Sequence, residues 1–210
     1  MFGYIYFCVI KYNCYKKNNL LYDWIAFFDT DEYLVLNQNN MTIQNFLNNS
    51  RYKNCESIQI NWKVFTDNNQ LQYENKPLNE RFPEVIKKFK KINGVRKVIV
   101  RGNLANYSSR KSFNCHSVFY SNQSCDSNGR FRDGYYIDPP EYKYAILNHY
   151  ATKTITEFCD KLKRGWGNSP FKLNLNDKLK YKFFNYFFTY NEKTIEKIQI
   201  FNALMNTSFE

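Results

Sequence analysis

Two short apolar runs separated by a cluster of acidic residues constrain the fold of this chain more than any other feature. The runs are Trp24–Phe28 and Tyr33–Leu36, and Asp29-Thr-Asp-Glu32 lies between them. Short continuous apolar runs are typical of strands buried on both faces, as in the centre of an α/β sheet. The sequence therefore predicts a buried strand that ends in two aspartates one residue apart.

The remaining periodicity extends this prediction to a mixed α/β fold. Apolar or alternating segments predict further strands at Ser57–Trp62, Lys97–Val100 and Tyr144–Leu147. Helical spacing or capping residues predict helices at Thr42–Leu47, Thr154–Arg164, Asp177–Tyr190 and Glu192–Leu204, with Gly165 ending the second of these. The fold class expected is a mixed sheet flanked by helices, with a helical C-terminal appendage.

Composition and charge limit the classes of function. The 210 residues can bury one sizeable core, and 43% hydrophobic residues exclude a disordered chain. A net charge of +11 favours polyanions, anionic lipid head groups or phosphorylated small molecules as partners. Because no RNP, zinc-finger or helix-turn-helix signature accompanies the charge, we expect no specific nucleic acid partner.

The cysteines and the N-terminal segment indicate in which cellular compartment the protein is expected. The six cysteines include no C-x-x-C pair and only two histidines occur, which excludes a zinc ribbon. The even number of cysteines is compatible with disulfides, but free buried thiols in a reducing compartment are the simpler expectation. Met1–Ile10 is apolar yet too short for a bilayer, which needs about 20 residues. We therefore expect a cytoplasmic protein, with the inner face of a membrane as an alternative site.

The paired aspartates carry the strongest chemical signal. In open α/β sheets, ligands bind beyond the carboxyl ends of strands. There Asp29 and Asp31 would offer hard oxygen ligands to Mg²⁺ or Mn²⁺, which can in turn hold a diphosphate. A capped, solvated turn is the alternative interpretation.

The segment Asp23–Leu34 resembles the "W-i-x-f-x-D-x-D-E-F" signature of glycosyltransferase family 92 and the related family 2-like glycosyltransferases. Further blocks follow in the family's order, over roughly residues 20 to 166. They are Ile60–Phe65, Glu80–Phe82, Lys97–Val100, His116, Asp126–Gly129 and Asn148–Phe158.

This resemblance implies a GT-A fold, a nucleotide-sugar donor and Mn²⁺ or Mg²⁺. The metal ligands implied are Asp29, Asp31 and His149, with Glu32 ordering Asp31 or pairing with a lysine. Lys153, Arg164 and Arg81 are candidates for the donor diphosphate, although solvated helix charges, or a structural ion pair for Arg81, explain them too. Trp62 and His116 are candidates to line the acceptor pocket, the alternative being a place in the core.

The resemblance also has two departures. Thr66 stands where the family prefers Gly, and only about 20 residues precede the metal strand, where relatives usually carry another α/β unit that seats the nucleotide. The chain is therefore interpreted as an N-terminally truncated glycosyltransferase domain at 1–166 with a helical extension at 167–210. Residues 1–20 are expected to expose an apolar patch where the missing unit would dock.

Two functions follow from this reading. The first is a metal-dependent glycosyltransferase that moves a hexose from a nucleotide-diphosphate sugar to a glycan or lipid-linked acceptor, with an N-terminal partner chain and peripheral membrane association as open possibilities. The second is a catalytically inactive fragment or partner subunit that keeps the fold. A catalytic base is not assigned, because sequence gives no geometry; the candidates are Asp67, Asp126, Asp133, Asp138 and Glu141.

Overall fold

The computed structural model describes residues 13–87, 90–104, 116, 123–134, 136–165 and 176–210. The chain divides into two compact units, one of residues 1–63 and 91–149 and the other of residues 64–90 and 150–210. In these described ranges no helix has both the length and the apolar character needed to span a membrane. The N-terminal patch expected at residues 1–20 lies mostly outside them.

The first unit is built on a six-stranded mixed sheet. The strand order is β1-β4-β3-β6-β2, and β5 pairs in parallel with β3 off this path. The bounds are β1 Trp24–Ala26, β2 Glu32–Leu36, β3 Ser57–Val64, β4 Arg96–Arg101, β5 Ser124–Asp126 and β6 Ala145–His149. All five strands predicted from the sequence are present, which confirms the mixed α/β fold class.

The helices of this unit are short. Residues 13–18 are the described part of α1, and α2 spans Ile43–Leu47. Thr42 caps α2 as predicted, because its side chain accepts a hydrogen bond from the Asn45 amide. Single 3₁₀ turns lie at Ser50–Tyr52 and Lys90–Gly94.

Apolar side chains cover both faces of the sheet. Ile58, Ile60 and Ile99 pack in one cluster with Leu147, whereas Val98 and Val100 pack in another cluster with Tyr15 and Phe27. Successive residues of β4 thus alternate between two cores, since side chains of a strand point to opposite faces in turn. This is why β4 reads as a continuous apolar run in the sequence.

The turn that contains the paired aspartates joins the two edge strands of the sheet. β1 and β2 lie at opposite ends of the strand order, and only residues 27–31 separate them along the chain. β1 also ends earlier than predicted, at Ala26, although the Phe27 amide still donates a hydrogen bond to the Val98 carbonyl. The sheet must therefore curl so that its two edges meet at Asp29–Asp31.

The expectation of free buried thiols is wrong for two of the cysteines. Cys55 and Cys125 form a disulfide, and both side chains are buried in the main core of the first unit. The bond is possible because β3 and β5 pair with Ile58 opposite Cys125. Cys159 does remain a free buried thiol, Cys14 is a free exposed one, and Cys8 and Cys115 lie outside the described residues.

The second unit is helical in its described part. Its helices are α3 Leu78–Arg81, α4 Ile155–Arg164, α5 Asp177–Tyr190 and α6 Ile195–Met205. The predicted apolar stripe of α4 is buried and packs in one cluster with Phe184 and Phe187 of α5 and Phe201 of α6. The C-terminal helices therefore share their core with α4, and the domain boundary at residue 166 stays a prediction.

Local capping sets the ends of these helices. Thr154 and Glu157 form a reciprocal capping box at the start of α4, and Gly165 follows its last residue as predicted. α6 begins three residues later than predicted, at Ile195. The reason is that Thr194 caps it, its hydroxyl accepting from the Lys197 amide.

Candidate active site

The acidic turn between β1 and β2 is a closed and partly buried structure. The Asp29 carbonyl accepts a hydrogen bond from the Glu32 amide at 3.0 Å. In return the Asp29 amide donates to Glu32 Oε2 at 2.8 Å. Asp29 is left with a half-exposed side chain, whereas that of Glu32 is fully buried. Glu32 therefore stabilises the turn from its buried side, through its hydrogen bonds with the Asp29 backbone.

Lys97 of β4 forms ion pairs with two carboxylates of this turn. Its side chain is 1% exposed, and its Nζ atom lies 2.6 Å from Asp29 Oδ2 and 3.4 Å from Glu32 Oε1. Burial raises the pKa of the Glu32 carboxyl to about 7, although the Lys97 ammonium acts in the opposite direction. One buried ammonium thus holds two carboxylates of the turn.

Asp31 and His149 approach each other on the same side of the sheet. His149 is the last residue of β6 and pairs in register with Glu32, the first residue of β2. This pairing brings His149 Nε2 to 3.7 Å from Asp31 Oδ1, and both side chains are largely buried. The antiparallel register of β2 and β6 therefore creates the pair.

An aromatic cluster adjoins these charged groups. The Trp62 ring lies 4.2 Å from the His149 ring and 5.6 Å from the His116 ring, between centroids. The Lys97 Nζ atom lies 6.0 Å from the Trp62 ring centroid. His116 is held by a 2.7 Å hydrogen bond between its Nδ1 atom and the Arg96 carbonyl. The structure thus brings Trp62 and His116 to the acidic turn, and Trp62 is only half-buried.

The donor set of this cluster suits a divalent cation. A carboxylate oxygen and an imidazole nitrogen are both ligands that Mn²⁺ accepts. Two atoms bound to one ion at about 2.1 Å each lie no more than about 4.2 Å apart, and the 3.7 Å between Asp31 and His149 meets this condition. The Asp29 carboxylate forms an ion pair with Lys97 instead. Within the described ranges, no three His, Cys, Asp or Glu side chains are grouped around one point.

The sequence as a whole matches a known family. The model of glycosyltransferase family 92 covers residues 11–176 of the 210-residue chain. The chain belongs to glycosyltransferase family 92. No curated protein matches it. The family assignment confirms the resemblance carried by the Asp23–Leu34 motif, and family 92 membership assigns the chain to the glycosyltransferases.

The three predicted diphosphate ligands all lie in the second unit of this family 92 chain. Lys153 is half-buried and adopts a left-handed backbone with φ of 55°, and Arg164 is exposed at the last position of α4. Arg81 is buried, and its guanidinium donates to both carboxylate oxygens of Glu157. This is a structural ion pair with a partner that the sequence did not suggest. Diphosphate binding by the three residues stays a prediction.

Several candidates for the catalytic base have structural partners. Asp67 pairs with Lys197 at 2.6 Å inside the second unit. Asp126 accepts from the amides of Asn128 and Arg130, and Glu141 accepts from the Ser127 hydroxyl and the Lys143 amide. The remaining two candidates, Asp133 and Asp138, are exposed. The geometry therefore leaves the base unassigned.

Lys97 is the site residue that sequence reasoning missed. Lys97 belongs to the motif block Lys97–Val100, which gives it no chemical role. A signal is nevertheless present in the sequence, because a lysine that directly precedes the apolar residues Val98–Val100 of a predicted buried strand needs an anionic partner. In the fold, Lys97 forms ion pairs with Asp29 and Glu32 of the acidic turn.

Proposed function

We propose that this chain is a metal-dependent glycosyltransferase that moves a hexose from a nucleotide-diphosphate sugar to a glycan or lipid-linked acceptor. Membership of glycosyltransferase family 92 supports the reaction class. Metal binding is supported by the 3.7 Å distance between Asp31 Oδ1 and His149 Nε2, close in sequence to Asp29. In the reaction the bond from the anomeric carbon to the diphosphate breaks. A bond to the acceptor oxygen forms, and the acceptor hydroxyl loses its proton.

The residues of the acidic turn would perform the donor part of this reaction. Asp31 and His149, with Asp29, would hold Mn²⁺ or Mg²⁺, and the bound ion would supply positive charge to the diphosphate leaving group. Glu32 keeps the turn closed through its contact with the Asp29 amide. The half-buried Trp62 would present its ring to the apolar face of a sugar.

The disulfide between Cys55 and Cys125 changes the cellular compartment that we expect for this protein. Cys55 and Cys125 are bonded inside the core, so the thiols must be oxidised as the protein folds. Such bonds form and persist in oxidising compartments and are rare in the cytosol. We therefore infer that the chain folds in an oxidising compartment rather than the cytoplasm, and peripheral membrane association stays part of the proposal.

A second candidate function is a catalytically inactive fragment or partner subunit. It is favoured by the Asp29 carboxylate, which is held by Lys97 at 2.6 Å. In this case the fold would be kept while the donor site is lost.

Titration of Mn²⁺ into the chain, with and without a nucleoside diphosphate, distinguishes the two functions. Asp31 and His149 leave coordination positions open, so the ion alone should bind weakly and the diphosphate should complete its shell. Asp31→Asn removes one anionic ligand at nearly constant volume. It should therefore abolish the coupling with little change in melting temperature. A wild-type chain that shows no coupling, together with an unchanged and folded Asp31→Asn variant, would support the inactive fragment.

A further inference from the structure

Lys97 has an unusual position for a cation. Its side chain belongs to β4, a strand buried on both faces, and the ammonium reaches the turn Asp29–Glu32, which carries three acidic residues in four positions. It contacts Asp29 and Glu32, which flank Asp31, at 2.6 and 3.4 Å. The neighbouring residues Val98 and Ile99 fix β4 by packing in the two cores. The ammonium is therefore held at the turn by the sheet itself.

We propose that Lys97 is a positioning residue that serves as a built-in counter-cation of the turn and makes divalent-ion binding depend on the nucleoside diphosphate. The inference deepens the proposed function and rests on it for the nature of the ion. It goes beyond the ligand set, because Lys97 donates no electron pair to a metal. Its effect is electrostatic and acts through Asp29 and Glu32.

The charges of the turn determine how strongly it attracts a cation. The carboxylates of Asp29 and Asp31 would each attract a divalent cation, because an anion lowers the energy of the ion in a partly buried site. Lys97 cancels part of this negative charge and occupies an oxygen of Asp29 that an incoming ion would need. A bare ion therefore meets both repulsion from the ammonium and competition for Asp29. A diphosphate brings negative charge of its own and restores the attraction.

The same contacts explain why the lysine is present at all. Without a cation, Asp29 and Glu32 would repel each other across a turn whose ends lie on two edge strands. Lys97 joins them while the ion is absent, so the turn keeps its form for the donor. The arrangement predicts a site that is ordered when empty, weak for the ion alone and strong for the ion with its diphosphate.

The test compares Mn²⁺ affinity in the 210-residue chain and in its Lys97 variants, measured by electron paramagnetic resonance with and without UDP or GDP. Lys97→Met should bind Mn²⁺ alone at least tenfold more tightly than the wild type, and the gain from the diphosphate should shrink by a similar factor. Lys97→Arg keeps the charge and should behave like the wild type. Lys53→Met removes an exposed lysine of the same unit and should change neither value.

The outcomes separate this inference from the proposed function. A folded Lys97→Met variant whose Mn²⁺ affinity is equal to or below that of the wild type overturns the role of Lys97, while coupling in the wild type would leave the metal-dependent function standing. If Lys97→Met binds Mn²⁺ and the wild type does not, the role of Lys97 stands, but the proposal that the wild-type chain depends on a metal fails. If neither binds, both fail.

A buried lysine can be needed for folding, so a second comparison is required. Glu32→Gln removes one of the two anions, and the Lys97→Met/Glu32→Gln chain then loses one cation and one anion together. The double variant should bind Mn²⁺ at least tenfold more tightly than Glu32→Gln alone. Equal affinities in these two chains would overturn the inference even if the single Lys97→Met variant does not fold.

Discussion

The Nε2 atom of His149 lies 3.7 Å from Oδ1 of Asp31, although the two residues are 118 positions apart in the sequence (149 − 31). The contact depends on the pairing of β6 with β2, which places His149 opposite Glu32. This register also packs the partly buried Leu34 against the core that contains Leu147, so a slip by one residue would turn Leu34 away from that core. The core of the first unit therefore protects the geometry of the site.

A double-mutant cycle should show that Asp31 and His149 act on one ion. Asp31→Asn and His149→Gln are each expected to lower Mn²⁺ affinity at least tenfold in the presence of a nucleoside diphosphate. The double variant should lose little more, because the effects of ligands that share an ion are not additive. Asp133→Asn, at an exposed aspartate of the same unit, is the matched control. Two losses that add fully would indicate separate roles.

Removal of the disulfide should destabilise the first unit strongly. The bond closes a chain separation of 70 residues, and loss of such a bond typically costs about 2–5 kcal/mol. Cys55→Ala/Cys125→Ala should therefore unfold at lower urea concentration than the oxidised wild type. Cys14→Ser, at an exposed free thiol, should leave the midpoint unchanged. Equal midpoints for the oxidised wild type and the double alanine variant would contradict this prediction.

The Arg81–Glu157 pair should matter for stability. The Arg81 side chain is 2% exposed and its guanidinium also lies 4.7 Å from the Tyr73 ring centroid. Arg81→Met leaves Glu157 without its buried cation, which typically costs about 3–5 kcal/mol in urea unfolding. Lys76→Met, at an exposed pair with Glu74, should cause no measurable loss. A stable Arg81→Met chain that no longer binds the nucleoside diphosphate would instead support the diphosphate role of Arg81.

Alkaline pH should weaken the second unit through Cys159. Burial raises the pKa of this thiol to about 12, from an ordinary value of 9.0. Above pH 9 the unfolded chain loses the thiol proton while the folded chain retains it. Stability is therefore complete below pH 9 and falls by about 1.4 kcal/mol per pH unit up to pH 12.

The comparison that isolates this thiol is urea unfolding of wild type and Cys159→Ala at pH 8 and pH 10. The alanine variant carries a constant packing cost at both values, so its stability deficit should shrink by roughly 1 kcal/mol at pH 10. A deficit that is the same at both pH values would show that the thiol does not titrate as described. Cys14→Ser again serves as the control.

Much of the local structure was determined by the sequence alone. Thr154 and Glu157 are three residues apart, and the capping box that they form starts α4 where the pattern predicts. The apolar stripe of α4 and the alternation of β3 were equally readable. The reason is that helix ends and strand faces depend on side-chain types within one or two turns of chain. The same local rules predict the acidic turn after β1, but the prediction that this strand is buried on both faces is wrong, because β1 ends at Ala26 and lies at an edge of the sheet.

Only the tertiary structure decided which distant residues meet. The contacts of Lys97 with Asp29, of His149 with Asp31 and of Cys55 with Cys125 all join different strands or their ends. Each requires a particular strand order and register, which the packing of both faces of the sheet selects together. No local pattern states that β1 and β2 become opposite edges brought together by one acidic turn. The sequence thus supplied the chemical groups of the site, and long-range strand pairing supplied their partners.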